Sequence, residues 1–157
     1  MIKLTNVKCN DYDKSFLEYK NCELKVLKRS IIALNVYVKL HQVPVYNVTV
    51  NMSLWKRASG YRPFMYNITA NFCEFMAHRT RYPFMKIFLD FVMKSSNLNH
   101  TCPYEHDIII HNLVVKDEYL RLLPLPTGEY RLDFKINAFN IHKADFIIFI
   151  RTVENDK

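Results

Sequence analysis

Glycine is scarce in this sequence. Only two glycines, Gly60 and Gly128, occur among the 157 residues, where average usage would supply roughly eleven. The dinucleotide-binding fingerprint, the Walker phosphate loop and the nucleophile elbow of serine hydrolases all need clustered glycines for tight turns and close backbone approach. The sequence therefore excludes nucleotide-dependent and serine-hydrolase chemistry of these types. With 50% hydrophobic and 24% charged residues, it is typical of one globular domain over residues 1–157.

Long hydrophobic runs are also missing. No segment reaches the ~18 consecutive apolar residues of a membrane span, so we expect a soluble product that is not an integral membrane protein. The first four residues are too few and too charged for the apolar stretch of a signal peptide. We therefore interpret the chain as a mature protein carrying a start methionine or as a truncated gene product, in both cases without a signal peptide.

Cysteines and glycosylation sequons both predict an extracellular, secreted protein. The four cysteines form no Cys-x-x-Cys pair, which favours two disulfides over a zinc or redox site. Of the three connectivities that four cysteines allow, we favour Cys9 with Cys22 and Cys73 with Cys102. Sequons are more frequent than random placement would give, and they begin at Asn47, Asn51, Asn67 and Asn99.

The net charge of +7 is compatible with nucleic acid, an anionic membrane surface or an acidic ligand as partner. The basic residues form only short clusters: Lys25, Lys28 and Arg29; Lys56, Arg57 and Arg62; Arg79 and Arg81. We interpret these as solvated faces rather than a dedicated anion-binding patch. Aromatic residues interleaved with cations are typical of single-strand nucleic acid binding, but here they fall mainly on apolar faces. We therefore expect no nucleic acid partner.

Alternation of apolar and polar residues with a period of two dominates the chain and predicts a mainly β protein. Clear strands are predicted at 32–40, 46–54, 64–69 and 130–138, and the first two are interpreted as an antiparallel pair. Weaker strands are predicted at 16–27, 106–115 and 144–153, with an edge strand at 2–8. Seven or eight short strands without helical crossovers favour an antiparallel β-sandwich. The sequon residues Asn47, Asn51 and Asn67 lie on polar strand faces, where a glycan would meet solvent.

Residues 72–94 break the strand pattern and predict one helical insertion, with Pro83 in the first turn of a helix. Lys86, Asp90 and Lys94 form a narrow polar stripe, and nearly all the remaining surface of this helix is apolar. Such a helix buries more than one stripe. It is either a core helix wedged into an open edge of the sandwich, or a helix that closes an apolar cavity.

The candidates for chemistry are few. The group His100, Cys102 and His106 resembles a metal site, but a cysteine in a disulfide cannot bind metal or act as a nucleophile, and no further pair completes four ligands. Glu105 and Asp107 would lie on one face of a strand as solvated charges. We therefore predict no catalytic residues, no metal and no cofactor.

Four blocks of sequence resemble a large insect family of secreted proteins that includes the CheB chemosensory proteins and is expanded in flies. The blocks are Leu4-Thr5-Asn6-Val7-Lys8-Cys9, Lys56-Arg57-Ala58-Ser59-Gly60-Tyr61-Arg62-Pro63-Phe64, Ser96-Asn97-Leu98-Asn99-His100-Thr101-Cys102-Pro103-Tyr104 and Leu123-Pro124-Leu125-Pro126-Thr127-Gly128-Glu129-Tyr130. The turn in the last block also makes that family more distantly similar to the ML lipid-recognition superfamily, which includes the ganglioside activator protein. The resemblance implies an immunoglobulin-like sandwich whose sheets admit a lipid tail, no catalytic residues, and a role in detecting contact pheromones or other hydrophobic cues.

Two functions remain open from the sequence. The first is a secreted carrier that holds a lipid or other hydrophobic ligand in a cavity. Its predicted lining is Val36, Val38, Val50, Met52, Tyr66, Phe84, Phe88, Phe91, Phe134 and Ile148. The second is a protein-interaction module, with a filled core, that assists a membrane receptor or channel. A continuous cavity of about 300 Å³ or more would favour the carrier, and a filled interior would favour the module.

Overall fold

A computed structural model describes residues 1–45 and 47–153, and within them the chain forms eight strands and two α-helices. The strands are β1 (Ile2–Asp11), β2 (Leu17–Lys28), β3 (Ile31–Leu40), β4 (Val48–Arg57), β5 (Tyr61–Asn71), β6 (Ile108–Leu113), β7 (Gly128–Ala138) and β8 (Ile141–Thr152). The helices are α1 (Phe72–Ala77) and α2 (Pro83–Met93), with short 3₁₀ turns at Arg79–Arg81 and Asp117–Arg121. No helix in the described part is long and apolar enough to cross a membrane.

The strands form two antiparallel sheets, which confirms the predicted β-sandwich. One sheet has five strands in the order β1-β8-β7-β4-β5, and the other has three in the order β2-β3-β6. Alternate residues of both sheets enter one hydrophobic core, including Leu34 and Val36 from β3 and Val50 and Leu54 from β4. The period-two pattern of the sequence therefore corresponds to the inward and outward faces of real strands.

The prediction that the strands at 32–40 and 46–54 pair with each other is wrong. β3 lies between β2 and β6, whereas β4 lies between β7 and β5 in the other sheet. Alternation shows which face of a strand is apolar, but not which strand lies beside it. The connection after Leu40 instead crosses between the sheets, and Val45 forms a bridge to Tyr104. Tyr46, predicted to face inward in the second of these strands, lies outside the described residues.

The helical insertion between β5 and β6 is two helices rather than one. Asn71 caps α1 by accepting a hydrogen bond from the backbone N–H of Glu74 at 3.0 Å. Pro83 occupies the first turn of α2, as predicted. Asp90 on the polar stripe pairs with Lys86 at 2.7 Å and with Arg79 at 3.1 Å, which ties the turn between the helices to the outer side of α2.

Both disulfides have the favoured connectivity. Cys9–Cys22 joins β1 of the five-stranded sheet to β2 of the three-stranded sheet. Cys73–Cys102 ties α1 to the segment before β6. Each bond thus links parts of the chain that the pairings of the described strands do not connect.

Gly128 occupies a position that a side chain would strain. Its φ is +157°, and a Cβ atom there would lie 3.1 Å from Cε of Lys56. This glycine begins β7 directly after the turn in which Pro126 O accepts hydrogen bonds from the hydroxyls of Tyr130 and Thr152. The turn and the start of the strand are therefore fixed together.

Candidate functional site

An apolar cavity of about 190 Å³ lies between the two sheets. The three-stranded sheet contributes Val36, Val38 and Ile110, and the five-stranded sheet contributes Val50, Phe134 and Phe146. Met85, Leu89 and Val92 of α2 close one side, and Val45, Leu98 and Tyr104 from loops complete the wall. We call this space the main cavity. It is larger than an engineered apolar cavity of about 150 Å³ that binds benzene, and it is below the roughly 300 Å³ at which pockets for drug-sized ligands begin.

The two tyrosines that line the main cavity use their hydroxyls elsewhere. The Tyr19 hydroxyl donates to Asp145 O at 2.8 Å, and the Tyr104 hydroxyl donates to His100 O at 2.6 Å. Burial raises the pKa of Tyr19 and raises the pKa of Tyr104 to about 12, so both stay neutral donors at physiological pH. Their rings face the cavity, and the surface offered to a ligand is hydrocarbon.

A second, smaller cavity of about 80 Å³ lies beside the first. It is bounded by α2, the 3₁₀ turn at Asp117–Arg121 and the strands β1, β7 and β8. Phe91 of α2 stacks on Tyr119 of the turn with ring centroids 3.9 Å apart. Phe134 and Val92 line both cavities and so form part of the wall between them.

Most of the predicted cavity residues line one of these two spaces. Val36, Val38, Val50 and Phe134 line the main cavity, and Phe88, Phe91, Phe134 and Ile148 line the second. α2 therefore lies against both cavities, while Met85, Phe88, Leu89 and Met93 are buried in the core, so both interpretations of the helix stay open.

Three predicted residues line neither cavity. Met52 faces inward on β4 but is fully enclosed by neighbouring side chains. Phe84 lies on the outer side of α2 and is 45% exposed. Tyr66 on the edge strand β5 packs against α2 instead, with its ring centroid 4.6 Å from that of Phe84. Tyr66 therefore packs against the rings of Phe84 and Phe88, with centroids 4.6 and 6.0 Å away, rather than facing the space between the sheets.

The sequence contained a signal for some of the missed lining residues. Met85, Leu89 and Val92 follow each other at intervals of four and three, so they share one face of a helix that begins at Pro83. The loop residues Val45 and Leu98 had no such signal, because their positions depend on contacts distant in sequence.

A charged pair lies next to Phe16, which lines the main cavity. The Nζ atom of the buried Lys143 is 2.6 Å from Oδ2 of Asp13 and 5.6 Å from the centroid of the Phe16 ring. The hydrogen bond from Lys143, assisted by one from Ser15, lowers the pKa of Asp13 to about 2. The pair fixes the loop that carries Phe16 against the start of β8.

The candidate metal and acid groups take other roles. Cys102 is in a disulfide, and Nε2 of His100 lies 2.6 Å from Nε2 of His106. Within residues 1–45 and 47–153, no group of three or more side chains could hold a metal ion. Asp107 is not the solvated charge that we expected. It accepts hydrogen bonds from the Tyr37 hydroxyl at 2.6 Å and from Leu40 N at 3.0 Å, and the first of these holds its pKa below the usual range.

The sequon asparagines differ in their contacts. Asn47, Asn67 and Asn99 are exposed. Asn51 is half-buried, and its Nδ2 donates to Asn67 Oδ1 and to Thr69 Oγ1, each at 2.8 Å. The amide nitrogen that would carry a glycan on Asn51 is therefore already engaged.

Comparison with curated proteins finds no match for the chain. Residues 50–132, slightly more than half of the sequence, match a protein family over the region from β4 through the start of β7. This region supplies α2 and one wall of the main cavity. The chain therefore belongs to the family described as "Protein of unknown function (DUF1091)".

Proposed function

We propose that this protein is a secreted, non-catalytic carrier that holds a small hydrophobic ligand, or the end of a lipid chain, between its two sheets. The observation that carries the proposal is the main cavity, about 190 Å³ of space with a hydrocarbon lining and with its tyrosine hydroxyls already bonded. Removal of apolar surface from water would supply the affinity, without a charged group in the site.

The cavity volume limits the size of the ligand. At about 190 Å³ the main cavity is smaller than the roughly 300 Å³ that would favour the carrier over the interaction module, and the interior is not filled either. It does fit a single ring or a short hydrocarbon chain. We therefore propose a small apolar ligand, or one chain of a larger lipid, rather than a whole lipid molecule.

Two disulfides support export to an oxidising compartment. The resemblance to CheB-like proteins and to the ML superfamily supports a hydrophobic cue, such as a contact pheromone, as the ligand class. On this proposal the protein carries or presents that cue to a chemosensory receptor.

The test is the stability of the protein in the presence of straight-chain alcohols of increasing length. A ligand that binds only the folded state raises the free energy of unfolding by about 2.7 kcal/mol at a hundred times its Kd. We expect stabilisation by alcohols of one narrow range of lengths, and native mass spectrometry of protein from insect cells should show a co-purified apolar ligand.

A pair of adjacent isoleucines on β6 supplies matched variants. Ile110 is 7% exposed and lines the main cavity, whereas Ile109 is 37% exposed. Ile110→Trp should occupy part of the cavity and shift the stabilisation to shorter alcohols, and Ile109→Trp should leave the preferred length unchanged. If Ile110→Trp does not fold, Val38→Phe narrows the same cavity with a smaller change. Absence of any stabilised alcohol and of any co-purified ligand would reject the carrier and favour the interaction module.

A further inference from the structure

The turn between β2 and β3 presents apolar and basic side chains together to solvent. All of residues 25–31, which we call the hairpin tip, are exposed. Three of them are large apolar residues: Val26 is 69% exposed, Leu27 is 40% exposed and Ile31 is 37% exposed. Three more are the cations Lys25, Lys28 and Arg29. Isolated surface leucines and valines are ordinary, but apolar residues grouped within one turn mark an interaction site.

The hairpin tip projects beyond the rest of its sheet. β2 and β3 stay paired as far as Lys28 and Ile31, with Leu27 in a bulge. The third strand, β6, pairs with β3 only from Leu34 onward. Among the described residues no third strand pairs with the tip, so it is a two-stranded finger that a flat partner can reach without moving the sandwich.

The cations of the other basic clusters have partners within the protein, and Arg62, which forms no ion pair among the described residues, donates a hydrogen bond to Ser59 Oγ at 3.3 Å. Arg57 pairs with Glu129 at 2.8 Å, and Lys56 lies over the Phe64 ring at 5.4 Å. Arg79 pairs with Asp90, and Arg81 lies 4.0 Å from Glu74.

In contrast, none of the ion pairs formed among the described residues includes Lys25, Lys28 or Arg29. The chain as a whole carries +7. The positive charge of the tip is thus available to an external anion.

The predicted glycosylation sites lie away from the hairpin tip. Asn51 and Asn67 lie on β4 and β5 of the other sheet, and Asn47 and Asn99 precede β4 and β6. No sequon falls within residues 25–31. Glycans at any of the four asparagines would be attached away from the tip.

We propose that the hairpin tip docks on an anionic lipid surface. Its three cations meet the charged headgroups, and Val26, Leu27 and Ile31 enter the boundary between headgroups and acyl chains. Charge complementarity alone would also suit a soluble polyanion such as heparin. The exposed apolar residues favour a lipid surface, because a polyanion offers them no hydrocarbon.

The experiment measures binding of the full, disulfide-bonded chain to vesicles. We expect binding to vesicles that contain phosphatidylserine in phosphatidylcholine, weaker binding to phosphatidylcholine alone, and a decrease with added salt. Changing Lys25, Lys28 and Arg29 together to Gln should lower the vesicle affinity about a hundredfold, at ~fivefold per charge. Changing Val26 and Leu27 to Ser should lower it about tenfold.

Two control variants lie on the other sheet. Met65 on β5 is 66% exposed, and Lys135 on β7 is also exposed. Met65→Ser and Lys135→Gln should each keep full vesicle affinity, and unchanged circular dichroism should show that the tip variants fold. Ile110→Trp, which narrows the main cavity far from the tip, should not change vesicle affinity, so the docking and carrier proposals can fail separately.

Three results would overturn the docking proposal. The first is no binding to phosphatidylserine vesicles. The second is an equal loss of affinity in the control variants. The third is a combined result, in which heparin binding requires the three cations but vesicle binding does not change when Val26 and Leu27 are replaced. That result would identify a soluble polyanion as the partner.

Discussion

Replacing Phe134 by alanine is expected to join the two cavities of the sandwich. Phe134 lines both the main cavity of about 190 Å³ and the second cavity of about 80 Å³. Together with the space vacated by the ring, the joined cavity would pass the roughly 300 Å³ typical of pockets for drug-sized ligands. The variant should therefore accept longer alcohols than the original protein.

The same substitution has a cost in stability. Phe134 is buried, and a buried Phe→Ala change lowers the free energy of unfolding by about 3–5 kcal/mol. Denaturation by guanidinium measures this loss. The alcohol length that gives the largest stabilisation, measured on the same samples, reports the size of the cavity.

Phe75 provides a control for the loss of a buried ring. It is fully buried and lines neither cavity. Phe75→Ala should lower stability by a similar amount without changing the preferred alcohol length. The reasoning fails if Phe134→Ala keeps the original preference, or if both variants shift it equally.

Three further predictions concern the cysteines, the acid limit of stability and the glycans. Replacing Cys73 and Cys102 by Ala should lower the free energy of unfolding by about 3.6 kcal/mol, from the loop entropy of a 29-residue separation, as measured by denaturation of the non-reduced proteins. The pKa of Asp13 falls to about 2 in the folded state, so this carboxylate stabilises the fold at neutral pH, and the contribution is lost as the pH drops from about 4 through 2. Asp13→Asn should therefore lower the free energy of unfolding at neutral pH and make it fall less steeply between pH 4 and 2. Thermal melts that show the same decline in stability below pH 4 for the variant would contradict this. Glycopeptide mass spectrometry should find Asn67 occupied and Asn51 largely unoccupied, because the Asn51 amide is engaged in two hydrogen bonds; the reverse pattern would refute it.

The local features of the fold could be predicted because they depend on nearby residues. The alternation in β3, β4, β5 and β7 shows in the sequence since successive side chains of a strand point to opposite faces. Pro83 marks the start of α2 because its fixed φ and missing N–H suit the first helical turn. Gly128 marks a turn because its φ of +157° is one that other residues rarely adopt.

The candidate site could be predicted only in part, for a physical reason. Val36, Val50 and Phe134 were identified because an inward position on a strand faces the core whichever strand lies beside it. Met52 was misplaced because alternation does not distinguish a packed inward side chain from one beside a cavity. Phe84 was misplaced because a helix with only a narrow polar stripe does not reveal which apolar side meets the sheets.

The sequence by itself determined the strand faces, the start of the long helix, the turn glycines and a disulfide arrangement that the structure shares. The strand faces, the helix start and the turn glycines follow from the covalent geometry of a few neighbouring residues, whereas the disulfide arrangement was one of the three that four cysteines allow. Only the tertiary structure decided that β3 and β4 belong to different sheets, that Phe134 and Val92 lie between two cavities, and that the cations of residues 25–31 form no ion pair among the described residues. These features arise from contacts between residues far apart in the chain, whose free energy depends on the packing of the whole domain.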